Sequence, residues 1–211
     1  MSAVESRAPT TTRAAATDEQ ILRVAEALRA HRIEAIVVDT AEEARTTVLG
    51  LIPEGVEVHS GKSKTLDDLG VYKEIVESGR YDALRPRLFT MDRVTQGREM
   101  RKMGAAPDVM LGSVAAVTYD GALVAASATG SQLGSYAAGA GRLILIVGSQ
   151  KIVPDLDAAL RRIDEVVFPY EDEQVLARLN VHTILEKVLI IYGEWTAGRT
   201  TVVLVREPVG V

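Results

Sequence analysis

Apolar residues along this chain recur with two different periods, and the periods alternate. Over residues 18–31, Ile21, Leu22, Ala25 and Leu28 fall at helical spacing, which predicts an amphipathic helix. Residues 33–39 then read as a short buried strand. Thr40 with Glu43 three positions on has the form of a capping box, and Ala41, Ala44, Val48 and Leu51 share a face behind it. Pro53 and Gly55 stop that helix, and residues 56–59 form a second strand. Thr65 is placed to cap a further helix with Leu66, Leu69, Tyr72 and Val76 on its inner side. Residues 80–103 are less legible, with a helix expected over 92–103.

The second half is richer in strands. Residues 109–118 and 122–127 are apolar runs separated by Tyr119-Asp120-Gly121, where Asp-Gly signals a hairpin. Residues 143–147 read Leu-Ile-Leu-Ile-Val, apolar on both faces, so this strand belongs in the middle of a sheet. Pro154 opens a helix with Leu156, Ala159, Leu160, Ile163 and Val167 along one side. Residues 187–192 and 200–206 read as two closing strands joined by a turn over 193–199. Strands alternating with helices predict an α/β fold with a mostly parallel sheet flanked by helices. Residues 1–17, rich in Ser, Thr, Ala and Pro, have no apolar period and read as a flexible tail. No internal repeat or linker divides residues 18–211, which are expected to form a single domain.

Composition narrows the classes. The 211 residues are 47% hydrophobic and 25% charged, as in soluble globular proteins, and only 4% aromatic, so the core must be mostly aliphatic. The chain has no cysteine, which excludes thiolate catalysis and cysteine-ligated zinc or iron–sulfur centres. No metal site is expected, because the three histidines lack ligand spacing. A formal charge of −5 argues against nucleic acid. Residues 62–102 carry ten basic and seven acidic residues. That stretch reads as a solvated mixed-charge surface or as a patch for an acidic metabolite or partner protein. With no apolar leader and no apolar run of membrane-spanning length, a cytoplasmic address away from the membrane is expected.

Two glycine-bearing regions are candidates for chemistry. The first, Ser60-Gly61-Lys62-Ser63-Lys64-Thr65, follows a strand and precedes a helix. Gly61 lets backbone approach a ligand, and Lys62, Ser63 and Thr65 can donate to a phosphate or carboxylate. It is not a P-loop, since position 56 is Val56 and Gly55 stands one place out of register. A plain capped turn is the competing reading. The second region holds seven of the seventeen glycines between Gly112 and Gly148. Gly112, Ser113, Thr118, Thr129, Gly130 and Ser131 offer backbone and hydroxyl donors where loops at strand ends gather. The competing reading is close packing of a strand against a helix. His59 beside the Gly61 turn, Asp120 and Glu194 are weak candidates for a general base or acid.

Taken together these stretches resemble the LUD family, the domain of bacterial lactate-utilisation proteins of the C-subunit kind. The resemblance is carried by Gly61-Lys62-Ser63-Lys64-Thr65 with Leu66 and Gly70, by Gly112 through Thr118, and by Ala128-Thr129-Gly130-Ser131. Val147, Ile152-Val153-Pro154-Asp155 and the final run Arg199 through Glu207 complete it. It implies the fold shared by sugar-phosphate isomerases, CoA transferases and 5-formyltetrahydrofolate cyclo-ligase, with a strand-end site for phosphorylated or carboxylated substrates. It also implies iron–sulfur partner subunits, with which lactate-utilisation systems pair this domain, and no cofactor in this chain, which without cysteine cannot hold a cluster itself. Many family members have an acidic residue where this chain has Ala128, so no carboxylate role transfers there.

Three functions are consistent with these residues. One is binding of a small anionic metabolite in or beside lactate or 2-hydroxy-acid oxidation. Another is a stand-alone transferase or isomerase. The third is a non-catalytic regulatory subunit that docks partners through the basic segment or the tail. A homodimer is also expected, with residues 209–211 and Trp195 as contact surfaces.

Overall fold

The first helix begins where a reciprocal cap closes it. In a computed structural model describing residues 14–211, the Thr17 hydroxyl accepts from Gln20 N–H while the Gln20 side chain accepts from Thr17 N–H. This pairing satisfies two donors that α1 (Asp18–Ala30) would otherwise leave open. The helix buries Ile21, Val24, Ala25 and Leu28, whereas Leu22, expected on that face, is half exposed. Most of the expected tail, residues 1–13, lies outside the described residues.

The other elements before residue 112 alternate. They are β1 (Glu34–Val38), α2 (Ala41–Gly50), β2 (Glu57–Ser60), α3 (Lys64–Asp68), α4 (Val71–Glu77), β3 (Asp82–Ala83), α5 (Leu84–Thr90), α6 (Gly97–Ala105) and β4 (Val109–Gly112). Thr40 caps α2 as expected, but Glu43 reaches back to Asp39 N–H, not to Thr40. The helix expected from Thr65 through Val76 is two. Gly70 at φ 66° breaks it, and the buried residues of α4 are Val71 and Ile75, not Tyr72 and Val76. Ser63, not Thr65, caps α3, and Thr65 is turned inward and buried. The helix expected from residue 92 starts at 97, because the Asp92 carboxylate is occupied in a turn with Val94 and Thr95.

The remaining elements are β5 (Ala116–Thr118), β6 (Leu123–Ser127), β7 (Arg142–Gly148), β8 (Ile152–Val153), α7 (Leu156–Arg162), α8 (Phe168–Leu179), β9 (Lys187–Ile191) and β10 (Thr200–Val205). Asp155 caps α7, which buries Ala158, Ala159 and Arg162 but leaves Leu160 outside. A π-helical turn over residues 163–167 leads into α8, which buries none of its residues.

The strands form two sheets. Six pair in the order β1-β10-β7-β4-β2-β3, all parallel, with β7 in the interior and buried from Leu143 to Gly148, as the apolar run 143–147 required. The other four pair in the order β8-β5-β6-β9. The apolar run 109–118 is therefore split between sheets, and the chain crosses from β4 to β5 at residues 113–115. The closing strands likewise do not pair with each other. β9 ends the small sheet, while β10 inserts between β1 and β7. The Asp120–Gly121 hairpin does join β5 and β6.

One face of the large sheet packs on α2, α3 and α4 through Val58, Leu111, Ile144, Ile146 and Val203. The other packs on α1 and the small sheet through Met110, Leu143, Leu145, Val202 and Leu204. Cluster residues of α7 cover the far side of the small sheet with Val124 and Val153. No helix among the described residues is long and apolar enough to cross a membrane.

Candidate functional site

The order of the parallel strands singles out one place along their carboxyl ends. From β2 the chain moves outward to β3, whereas from β4 it proceeds inward toward β7. Adjacent strands whose connections depart in opposite directions leave a crevice beyond their carboxyl ends, and that crevice is where open α/β sheets bind ligands. Here it lies between Ser60 and Gly112, the ends of β2 and β4.

A lysine fills it. Lys151 sits in the short crossing from β7 to β8, beside the equivalent crossing from β4 to β5, and is only 3% exposed. Its Nζ donates to Thr65 Oγ1 at 2.8 Å and to Ser113 Oγ at 2.9 Å. Ser113 Oγ in turn donates to the Ile146 carbonyl at 2.6 Å, which fixes the hydroxyl at the seam between the two sheets. Among the described residues no carboxylate lies within ion-pair distance of the amine. Burial lowers the Lys151 pKa to about 7, the Arg162 charge adds to that depression, and Asp68 opposes it. Arg162 donates to the carbonyls of Ala115 and Gln150.

Val209 and Gly210 lie against this amine. Gln150 Nε2 donates to the Val209 and Gly210 carbonyls, at 3.0 and 3.3 Å. A Cβ on Gly210, whose φ is 76°, would stand 2.1 Å from Thr65 Oγ1 and 3.1 Å from Lys151 Nζ. Only glycine fits so close to the amine in that conformation. Two polar atoms of the same crossing, Ser149 Oγ and Gln150 Oε1, are buried without hydrogen-bond partners.

Of the residues singled out from sequence, the structure brings Thr65 and Ser113 together on Lys151. Gly112 is adjacent and has a packing role, since a Cβ there would fall 1.7 Å from Tyr136 Oη. Gly61 abuts Gln132, so the Gly61 and Gly130 loops meet. Thr129, Gly130 and Ser131 form a turn closed by hydrogen bonds to Ser127, Thr129 and Gln132. Lys62 points away to Glu171 of α8, and Ser63 is used as the cap of a five-residue helix. Thr118 and Asp120 bond each other within the hairpin turn, which packs on α1 at Ala27 and Leu28.

The candidate acids and bases are elsewhere. Glu194 lies at the opposite end of the large sheet, where it pairs with Arg199 and accepts from Thr200 Oγ1, each at 2.5 Å. His59 follows Val58, whose side chain packs among α2–α4, so the imidazole faces the other side of the sheet, next to Gly104. Burial, helped by Arg85, pushes its pKa down to about 4, so it is neutral at physiological pH. The basic stretch is largely neutralised locally: Arg80 pairs with Glu54, Arg87 with Asp82 and Glu57, and Lys64 with Asp68. Arg85 stacks on Tyr72 and Phe89.

Lys151 escaped the sequence reading. The signal for it is local: a single cation inside Ser149-Gln150-Lys151-Ile152-Val153, directly after the most apolar strand. A charge that interrupts a buried run belongs either to a paired structural group or to a site.

The fold and this crevice define an α/β protein with a mostly parallel sheet and a lysine-centred site at its switch point. The chain belongs to the LUD-domain family, whose model matches residues 21–205. No curated protein matches it. Among solved structures it is similar to a DUF162-family protein from Deinococcus radiodurans, at 12% identity and a TM-score of 0.49. That match covers 89% of this chain and 96% of the other.

Proposed function

We propose that this chain binds a small carboxylate or phosphorylated metabolite at the Lys151 crevice and acts in or beside lactate or 2-hydroxy-acid oxidation. The single observation behind the reading is a buried amine at a strand-end switch point, held by two hydroxyls and no carboxylate. An arriving anion would supply the missing countercharge and accept from Lys151 and Thr65. Family membership supports the metabolic setting. A chain without cysteine relies on a partner for iron–sulfur electron transfer, and the cytoplasm is the setting proposed for both. The proposal includes a homodimer. Trp195, 92% exposed, offers it apolar surface, whereas Val209 is turned into the protein interior.

The test is a thermal-shift titration with lactate, pyruvate, sugar phosphates, CoA esters and folates on the wild-type chain and on Lys151→Met. A ligand at about a hundred times its dissociation constant stabilises the native state by about 2.7 kcal/mol. The expected result is a shift with at least one acid that is absent in the variant. Because an anion favours the charged amine, binding takes up a proton and weakens above pH 7, by up to about tenfold per unit. A shift that persists in Lys151→Met would place the ligand elsewhere, and no shift with any of them would remove the metabolite reading.

A further inference from the structure

Hydrogen bonding alone does not account for how the lysine is placed. Two hydroxyls would bind an anion without any cation, and an arginine would hold a carboxylate in two-pronged fashion while keeping its charge. What occupies the crevice is a primary amine, desolvated, with a guanidinium near it and, among the described residues, no carboxylate within ion-pair distance. An amine in those surroundings has its nitrogen lone pair available in a large fraction of molecules at neutral pH. The same nitrogen has a hydroxyl on either side, one on α3 and one on the crossing out of β4.

We infer that Lys151 forms an imine with the carbonyl carbon of a 2-oxo acid. This inference rests on the Lys151 crevice being the anion site proposed above, and it names the class of ligand that site takes. The Nζ lone pair adds to the ketone or aldehyde carbon, and the carbonyl π pair takes up a proton to give a carbinolamine. Nζ loses a proton, the hydroxyl leaves with a proton as water, and the C=N bond forms, with no change of oxidation state. Thr65 Oγ1, within 3 Å of Nζ, is positioned to pass those protons to and from the leaving oxygen, while Ser113 Oγ, anchored on the Ile146 carbonyl, holds Nζ in place. The carboxylate of the acid supplies the negative charge that the crevice lacks. Entry requires Val209 and Gly210 to lift, which breaks their two hydrogen bonds from Gln150 Nε2 and leaves that amide free to face the ligand.

The experiment incubates the full chain at pH 7 with glyoxylate or pyruvate and cyanoborohydride, then maps the reduced adduct by peptide mass spectrometry. The wild type is expected to gain one adduct on Lys151 ahead of the exposed Lys62, Lys73 and Lys187. Lys151→Arg, which cannot form an imine, is expected to lose that adduct without gaining one at another lysine. Ser113→Ala is expected to slow adduct formation without changing the site labelled. Lactate binding that depends on residue 151, with adducts absent or scattered over exposed lysines, overturns the imine and leaves the anion site standing. Loss of both the lactate shift and the Lys151 adduct overturns the two together.

Discussion

At the scale of single residues, the same residue type does different work in this chain. Gly210 permits an approach to the amine, whereas Gly112 makes room for a buried tyrosine. The Tyr136 ring is enclosed, its hydroxyl donates to the Ser113 carbonyl, and burial raises its pKa. A methyl at residue 112 would stand 2.7 Å from the ring carbon bearing the hydroxyl, so the buried ring would have to shift. Gly112→Ala is therefore expected to cost roughly 1–3 kcal/mol or more through overpacking, read from urea melts. A neutral result would mean that the ring moves freely and that close packing is not the reason for this glycine. Sequence alone favoured ligand contact over packing at Gly112, although both need the same missing Cβ. Only the position of Tyr136, 24 residues further along, separates them.

Among the elements, local signals were legible where the cause is local. The strand over residues 143–147, the turn at Asp120-Gly121 and the Thr40 cap follow from residues within a few positions of each other. The expected pairing of the two closing strands failed for a long-range reason. β10 has six buried residues and needs neighbours on both sides, which β1 and β7 provide, while β9, more exposed, serves as an edge. The turn between them is held by the Glu194–Arg199 pair, whose side chains are 10% and 13% exposed. Arg199 also donates to the carbonyls of Ser135 and Tyr136, so it ties β10 to the π-helical turn before β7. Arg199→Met strands a buried carboxylate and is expected to destabilise by about 3–5 kcal/mol. Since this pair is at the far end of the sheet, ligand affinity at the Lys151 crevice should be unchanged in molecules that remain folded. A stability loss under 1 kcal/mol would show that Glu194 finds another partner, and a loss of affinity would show that the two ends of the sheet are coupled.

For the molecule as a whole, the buried amine makes stability depend on pH. The Lys151 pKa falls from its ordinary 10.5 to about 7 on folding, so between those values the unfolded chain holds the extra proton. Stability therefore rises with pH across that window, by at most about 1.4 kcal/mol per unit, and is flat in this respect below pH 7. The difference between wild type and Lys151→Met isolates the effect. In denaturant melts from pH 6 to 10 it is expected to be flat below 7 and to swing toward the wild type above it. Parallel curves would mean that the amine stays protonated in the folded state, which would also weaken the case for its nucleophilicity.

By itself the sequence determined the α/β class, the central apolar strand, the hairpin and the family, because periodicity, turn residues and local motifs act over short distances. It also pointed to Thr65 and Ser113 as hydroxyls worth watching. Only the tertiary structure decided that these two meet, and that a third residue, Lys151, is what they meet on. Residues 65, 113, 151 and 210 come from four separate segments that converge where two chain crossings pass side by side at the ends of parallel strands. Burial, and with it the charge state of the amine, belongs to that convergence, since a lysine's surroundings are set by which segments cover it and not by its neighbours along the chain.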